Sequence, residues 1–143
     1  MGVILTQTDT TVGFLSQEAG ELYEIKLRPT TKPFIKVYKD LKTFCTEGIR
    51  VPKRRKRLIR RAKKTTFVVG DFSFRVAKAP LDSQLLRTPA WFYSTSANRS
   101  GAHFERDFCE AKAAIIIEDK YGLREQNPSR VLKINAKKTK RLR

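Results

Sequence analysis

The sequence predicts a single α/β or α+β domain, and three observations support that prediction. Stretches rich in β-branched and aromatic residues alternate with stretches of helical spacing, which is typical of a sheet covered by helices. The chain has 143 residues, enough to bury a substantial core in one domain. Its hydrophobic content is 40% with 9 Phe, a composition that indicates a globular rather than a disordered protein.

The first half of the chain alternates between strand and helix signals. The apolar run Val3–Leu5 predicts a strand that fades into the polar loop TQTDTT. Ser16 is a candidate cap for a helix, which must end before Pro29 because the residue preceding a proline avoids the helical region. The other elements predicted here are a strand over 33–38, a short helix over 39–47, and a helix after Pro52 with Leu58, Ile59 and Ala62 on its apolar side.

The second half contains more strand signals than helix signals. Residues 65–69 and 72–77 are rich in strand-forming residues, and the intervening Gly70–Asp71 predicts a hairpin turn. A short helix is expected after Pro80, with Leu81, Leu85 and Leu86 facing inward. Further predicted elements are a strand at 91–94, a helix near 105–112, and strands over 113–118 and 130–135.

Positive charge is concentrated in two short runs. The formal net charge is +17, but residues 52–64 and 137–143 hold most of the excess and contain no acidic residue. We therefore divide the chain into a domain over 1–136 and a basic tail over 137–143. Such runs favour polyanions, with RNA, DNA and acidic membrane surfaces as candidates. The residues predicted to bind RNA are Lys53, Arg54, Arg55, Lys56, Arg57, Arg60 and Arg61. The alternative is a solvated helix face and a frayed tail.

Cysteine and histidine content argues against a disulfide framework or a His-rich metal site. Cys45 and Cys109 are far apart in the sequence, and His103 is the single histidine. No segment reaches the roughly 20 apolar residues of a membrane span, and the N-terminus lacks the apolar stretch of a signal peptide. We expect reduced cysteines, a cytoplasmic protein and no membrane partner.

Two short stretches carry candidate chemistry. KLRPTTKP places the cations Lys26, Arg28 and Lys32 close together, and an extended Arg28 before Pro29 would point the same way as Lys26. Such a group suits a triphosphate or a carboxylate, although a solvated helix end is the simpler reading. YSTSANRSG over 93–101 offers small hydroxyls that let a polyanion approach the backbone, although Ser, Asn and Gly also form ordinary loops.

The order of these stretches resembles that of a known family. TDTTVGF (8–14), KLRPTTKPF (26–34), TTFVV, FRV, STSANRSG (94–101) and NPSRV (127–131) follow one another along the chain. This series is similar to that of the YrdC-like threonylcarbamoyl-AMP synthases. The resemblance implies an α/β fold with a twisted, open, mixed sheet flanked by helices and a positively lined cavity. It also implies a nucleotidyltransferase that makes threonylcarbamoyl-AMP and pyrophosphate from L-threonine, bicarbonate and ATP, for modification of a tRNA adenosine.

Site residues follow from the resemblance by position. The catalytic pair would be Lys26 and Arg28, and the ATP site would add Ser94, Ser96 and Asn98. The site for threonine and bicarbonate would comprise Thr8, Thr10, Lys32, Arg75 and Ser129. Mg²⁺ would arrive with the triphosphate and have no dedicated protein ligands, while Asp9 is either a helper of that metal or a turn residue. The expected partners are tRNA and the threonylcarbamoyl-transfer proteins, and we expect a monomer.

The sequence also departs from the family pattern. Gln7 stands where the family usually has proline, and Val12 stands where it often has tyrosine, so one wall of the threonine pocket is expected to differ. The link between 65–69 and 72–77 is a bare turn. These differences leave two other hypotheses open: a shortened, non-catalytic relative that binds double-stranded RNA or tRNA, and an unrelated basic structural or ribosome-associated protein.

Overall fold

A computed structural model describes residues 2–29, 33–78 and 89–143. Lys32 and the short helix predicted after Pro80 lie outside the described residues. The strands are β1 Ile4–Gln7, β2 Val12–Ser16, β3 Ile35–Tyr38, β4 Thr65–Val69, β5 Phe72–Val76, β6 Trp91–Ser96, β7 Ile115–Ile117, β8 Arg130–Ile134 and β9 Thr139–Arg141. The helices are α1 Ala19–Lys26, α2 Leu41–Cys45, α3 Lys56–Arg61 and α4 Arg106–Lys112, and a 3₁₀ turn at Lys53–Arg55 leads into α3.

The strands form one open, mixed sheet, as the sequence predicts. Within the described residues its 9 strands follow the order β7-β1-β2-β6-β3-β5-β4-β8-β9. The β1–β7, β3–β5 and β4–β8 pairs are parallel, and the remaining neighbours are antiparallel. The predicted hairpin between β4 and β5 is confirmed, with Gly70 at φ 59°, where the absence of a side chain removes the steric cost.

Strand β2 corrects the sequence analysis, which placed a helix cap at Ser16. All five residues of Val12–Ser16 are buried and pair with β1 on one side and β6 on the other. The helix begins only at Ala19. Ser16 nevertheless shapes this junction, because its Oγ accepts from the Glu18 N–H at 2.9 Å and donates to Glu21 Oε1 at 2.9 Å.

Two apolar cores cover the same face of the sheet. The register places Phe14 of β2, Lys36 of β3 and Phe67 of β4 on that face, since side chains opposite one another on neighbouring strands share a face. Helices α1 and α4 bury Leu22 and Cys109 against the β1–β2 half. Helices α2 and α3 bury residues such as Phe44 and Ile59 against the β3–β5–β4–β8 half. The strip of sheet around Lys36 separates these two cores.

Residues 137–143, set apart as a basic tail in the sequence analysis, contain the last strand of the sheet. The Asn135 side chain accepts from the N–H groups of Lys137 and Lys138 at 2.8 and 2.9 Å, which forms the turn between β8 and β9. Strand β9 then pairs antiparallel with β8, and the Val131 N–H donates to the Arg143 carbonyl at 2.9 Å. A short, exposed and charged strand is a common way to end a sheet, because it discourages further pairing.

Candidate active site

A cleft of about 260 Å³ is lined largely from the face of the sheet opposite the two helix-covered cores, and Phe34 of the first core and Thr95 also line it. In the strand register, Arg75 pairs with Val37, and Ser94 pairs with Leu15. Val37 and Leu15 belong to a small apolar cluster on this second face of the sheet. The cleft brings together most of the residues that the resemblance assigned to a site. Those lining it are Thr8, Thr10, Arg28, Arg75, Ser94, Ser96 and Ser129.

The turn after β1 is fixed by a network that ends on Arg75. The Thr8 hydroxyl donates to the Thr11 carbonyl at 2.7 Å and accepts from the Thr10 N–H at 3.2 Å. Arg75 donates to the Thr10 hydroxyl at 2.8 Å and forms an ion pair with the Asp9 carboxylate. Both side chains of the ion pair are nearly buried, which limits competition from water. Arg75 is therefore held rigidly at the cleft wall.

Arg143 brings a further cation to the opposite part of the lining. Its Nε donates to the Ser129 carbonyl at 2.9 Å, and its Nη2 lies 3.2 Å from the Ser129 hydroxyl. That hydroxyl also lies 2.7 Å from the Thr66 hydroxyl, and both are buried. Sequence reasoning missed Arg143, because its position depends on the pairing of β9 with β8.

Lys26 lies behind the cleft and does not line it. Its Nζ donates to the carbonyls of Ser96 and Asn98, each at 3.1 Å, and to the Asn98 side-chain oxygen. An ammonium has three N–H groups, so these bonds use all of them. Burial, followed by the charge of Arg28, lowers the pKa of Lys26 to about 8. Its predicted role at the nucleotide stays a prediction, while the contacts place it as a clamp on the loop after β6.

The backbone at Leu27 separates Lys26 from Arg28. Leu27 ends α1 in the left-handed conformation, with φ 49° and ψ 41°, and its N–H donates to the Tyr23 carbonyl. The expectation that Lys26 and Arg28 point the same way is therefore wrong. This reversal turns Lys26 toward the loop, whereas Arg28 lines the cleft with its guanidinium 4.7 Å from the Phe34 ring centre.

Asn98 organises the loop that follows β6. Its side-chain NH₂ donates to the Ala102 carbonyl at 2.8 Å, and its oxygen accepts from the Ser96 hydroxyl at 3.1 Å. The cleft is lined by Ser94, Thr95 and Ser96 but not by Asn98. The hydroxyl-rich stretch of the sequence thus serves two purposes, since its first half lines the cleft and its second half holds that lining in place.

Gly13 gives the cleft room at its floor. A Cβ at this position would lie 3.1 Å from the Thr95 carbonyl oxygen and 3.3 Å from Thr8 Cγ2. Gly13 itself lines the cleft. The absence of a side chain therefore keeps open the space between the Thr8 turn and strand β6.

The side chains around the cleft do not fit a resident divalent metal. The carboxylate of Asp9, the residue considered as a metal helper, is committed to Arg75. Across residues 2–29, 33–78 and 89–143, no three His, Cys, Asp or Glu side chains come together as metal ligands. A Mg²⁺ ion in this cleft would have to enter as the counter-ion of a bound triphosphate.

The basic run forms an open groove at α3, of about 680 Å³. Ile59 is fully buried, and Leu58 and Ala62 pack against the same core, which confirms the predicted apolar side of this helix. The groove contains five cations and no acid among its lining residues: Arg50, Lys53, Lys56, Arg57 and Arg60. Arg54 and Arg61 are exposed beside it, and Arg55 donates to the Asn135 carbonyl at 3.0 Å.

Comparison with known proteins places this fold and cleft in a family. A family model for the Sua5/YciO/YrdC domain, described as telomere recombination, matches residues 2–143. The chain belongs to the Sua5/YciO/YrdC family. No curated protein matches the sequence. No helix in the described part of this family member is long and apolar enough to cross a bilayer.

Solved structures share the fold of this Sua5/YciO/YrdC domain. P. abyssi Sua5 in complex with L-threonine superposes with a TM-score of 0.80 at 17% identity, over 99% of this chain and 50% of that chain. E. coli YciO gives 0.75 at 19% identity, over 99% and 82%. Full-length HypF in its phosphate- and nucleotide-bound form gives 0.76 at 12% identity, over 99% and 22%. The chain thus spans about half the length of the Sua5 structure.

Proposed function

We propose that this chain is a threonylcarbamoyl-AMP synthase, a nucleotidyltransferase that supplies the activated intermediate for tRNA threonylcarbamoyladenosine. The observation that carries the proposal is the cleft, in which Arg28, Arg75 and Arg143 surround a floor of small hydroxyls. The planar guanidinium of arginine can bind two oxygens of a phosphate or carboxylate at once, and small hydroxyls add hydrogen bonds while leaving room for the ligand. The relatives' ligands have the same chemistry, since one Sua5 structure holds L-threonine and a HypF structure holds nucleotide and phosphate.

The proposed reaction needs positioning and charge neutralisation more than a base. The threonine amine and bicarbonate give a carbamate and water. A carbamate oxygen then attacks the α-phosphorus of ATP, and the bond from that phosphorus to the bridging oxygen of pyrophosphate breaks. Pyrophosphate is the leaving group, and a Mg²⁺ ion that arrived with the triphosphate would neutralise part of its charge. Holding the reactants in line and neutralising the leaving group can lower the barrier without a histidine or a covalent nucleophile.

Each cation of the cleft has a distinct part in this proposal. Arg28 and Arg143 bind the triphosphate, since within the described residues neither forms an ion pair with a carboxylate. Arg75, fixed by Asp9 and Thr10, presents its remaining N–H groups to the threonine carboxylate. Lys26 acts indirectly, because it holds the loop that presents Ser96.

A pyrophosphate assay tests the proposal. Purified protein with Mg²⁺-ATP, bicarbonate and L-threonine should release pyrophosphate, and the release should disappear when threonine or bicarbonate is omitted. Arg28→Gln should reduce the rate, whereas Lys120→Gln, a change at an exposed cation outside the cleft, should not. Pyrophosphate release that ignores threonine, or no ATP binding at all, would overturn the assignment.

The proposed reaction also implies a partner protein and a cellular compartment. Threonylcarbamoyl-AMP is a reactive mixed anhydride, so a threonylcarbamoyl-transfer protein has to accept it and deliver the group to tRNA. We place this reaction in the cytoplasm, where ATP and tRNA are available, and propose that the chain works as a monomer. Gel filtration of the purified protein tests the last point, and a dimer at micromolar concentration would contradict it.

RNA binding is a second candidate function, favoured by the groove at α3. Its five lining cations have no acidic neighbour in the lining, which suits a phosphate backbone, whether of double-stranded RNA or of tRNA. Each phosphate neutralised should steepen the salt dependence of log K by roughly 0.7–0.9. The triple change of Lys53, Arg57 and Arg60 to Gln should flatten that slope and leave ATP binding intact. If the slope does not change, the groove does not bind the RNA backbone and is only a solvated surface.

A further inference from the structure

A second cavity lies on the helix-covered face of the sheet, between the two apolar cores. It measures about 250 Å³ and adjoins the cleft at Pro33 and Phe34, which line both cavities. Phe34, which belongs to the first core, forms one wall, and Phe44, which belongs to the second, forms another. Tyr93 and Phe74 cover its floor. We call this cavity the aromatic pocket.

Phe72 stands at the rim of the aromatic pocket and is 53% exposed. It follows the turn at Gly70–Asp71 and begins β5, so its ring is carried on a hairpin tip. An aromatic ring that is half exposed beside an aromatic cavity offers a face on which a planar ligand can stack. Phe72 belongs to neither of the two apolar cores, so its ring is available to a ligand.

Polar groups lie among these rings. Lys36 Nζ is 4.2 Å from the Trp91 ring centre and 5.3 Å from that of Tyr93, and it lies 3.6 Å from Glu47 Oε1. Glu47 also accepts from the Tyr38 hydroxyl. The pocket therefore combines flat apolar walls with a cationic donor and a carboxylate acceptor, which is the pattern that a nucleobase requires at its faces and its edge.

The aromatic pocket adjoins the basic groove at α3. Ile49 lines both cavities, so the cationic surface and the aromatic rings meet at this residue. A strand whose phosphates lie along Lys53, Arg57 and the neighbouring cations can thus turn one base into the pocket. A duplex cannot do so without unstacking, because its bases are paired and stacked inside.

We propose that the aromatic pocket binds an unpaired base of single-stranded RNA whose backbone lies in the basic groove. This inference rests on the second candidate function, RNA binding by the groove, and adds to it the structural class of the RNA and a stacking site at Phe72. It does not depend on threonylcarbamoyl-AMP synthesis, since Phe72 lines the aromatic pocket and not the cleft, and the two cavities share Pro33 and Phe34 alone.

Three RNA ligands of equal length separate the contributions of bases and phosphates. We would measure fluorescence anisotropy with a single-stranded oligoadenylate of roughly 12 nucleotides, an abasic ribose-phosphate strand, and a duplex, all at one salt concentration. The oligoadenylate should bind roughly five- to 150-fold more tightly than the abasic strand, which is the range that stacking of one base on an aromatic ring contributes. Equal affinities, or tighter binding of the duplex, would overturn the proposal.

A matched pair of variants locates the stacking site. Phe72→Ala should lower the affinity for oligoadenylate to that for the abasic strand and leave abasic binding unchanged. Leu142→Ala removes another exposed apolar side chain, 51% exposed, that follows β9 and lines neither the aromatic pocket nor the groove, and it should change neither affinity. Oligoadenylate binding that survives Phe72→Ala would refute the pocket. Failure of the abasic strand to bind at all would instead refute the groove, so the two failures are distinguishable.

Discussion

The contacts of Lys26 lead to the sharpest prediction. The residue stands in the Lys-x-Arg motif beside Arg28, yet it is only 5% exposed, and its ammonium donates to three acceptors at the end of β6 and in the loop that follows. Lys26→Met keeps a similar apolar stem and removes the charge and all three donors. If Lys26 is a clamp, this change should damage the stability of the fold and, through the loop, the binding of ATP.

The magnitude follows from the bonds that are lost. Hydrogen bonds from a charged donor contribute roughly 1.5–3 kcal/mol each, so three would contribute more than about 4.5 kcal/mol. The variant also removes the cost of burying an ammonium, which the lowered pKa of Lys26 reflects. Asn98 Oδ1 keeps its bond from the Ser96 hydroxyl, which limits the damage further. We expect a net loss of about 2–4 kcal/mol in the free energy of unfolding.

Urea denaturation and calorimetric titration with ATP measure the two effects together. Arg28→Met is the matched control, because it makes the same substitution two residues later at a side chain that lines the cleft. Lys26→Met should lower the unfolding midpoint and weaken ATP binding, whereas Arg28→Met should weaken ATP binding at nearly wild-type stability. A Lys26→Met protein that unfolds like the wild type and still loses ATP affinity would refute the clamp and place the amine on the nucleotide.

Four further outcomes can be measured. Gly13→Ala should weaken ligand binding in calorimetry, because its Cβ would crowd the Thr95 carbonyl at 3.1 Å. Arg143→Gln should weaken ATP binding by about tenfold or more, since it removes a charge-assisted contact. Asp40→Ala should cost about 1 kcal/mol in urea denaturation at pH 7, because its carboxylate accepts from the backbone N–H of the third helical residue. The hydrogen bond from the Thr43 hydroxyl, followed by that from the Thr43 N–H, lowers the pKa of Asp40, so the wild-type advantage should disappear as the pH falls below about 4. The pKa of Lys26 is lowered from 10.5 to about 8, so the wild-type unfolding free energy should rise with pH across that window, and Lys26→Met should lack the rise.

Most elements of the fold could be predicted from the sequence, because their apolar periodicity is local. Strand β2 could not, since its residues follow the polar turn directly, include Gly13, and are apolar without the alternation of a half-buried strand. Strand β9 has no apolar pattern at all, being exposed along its whole length. Its existence depends on the turn at Asn135 and on the free edge of β8, which are properties of the assembled sheet.

The candidate site shows the same division between local and long-range information. Small hydroxyls and cations at the motif positions of the family resemblance identified 7 of the 15 residues that line the cleft, because residue type and order are visible in the sequence. The direction of the Lys26 side chain could not be predicted in this way, since it depends on the left-handed backbone at Leu27. Arg143 was missed for a related reason: it reaches the cleft only after β9 pairs with β8 and places its guanidinium on Ser129.

The two faces of the sheet give the molecule two surfaces that can be tested separately. Alternation along β3 places Ile35 in the cleft and Lys36 in the aromatic pocket, so neighbouring residues of one strand line different cavities. Substitutions at Phe72 and in the groove should therefore change RNA affinity without changing pyrophosphate release, and Arg28→Gln should do the reverse. If the two sets of effects fail to separate, the faces are coupled through the sheet. RNA binding would then have to be treated as part of the synthase reaction.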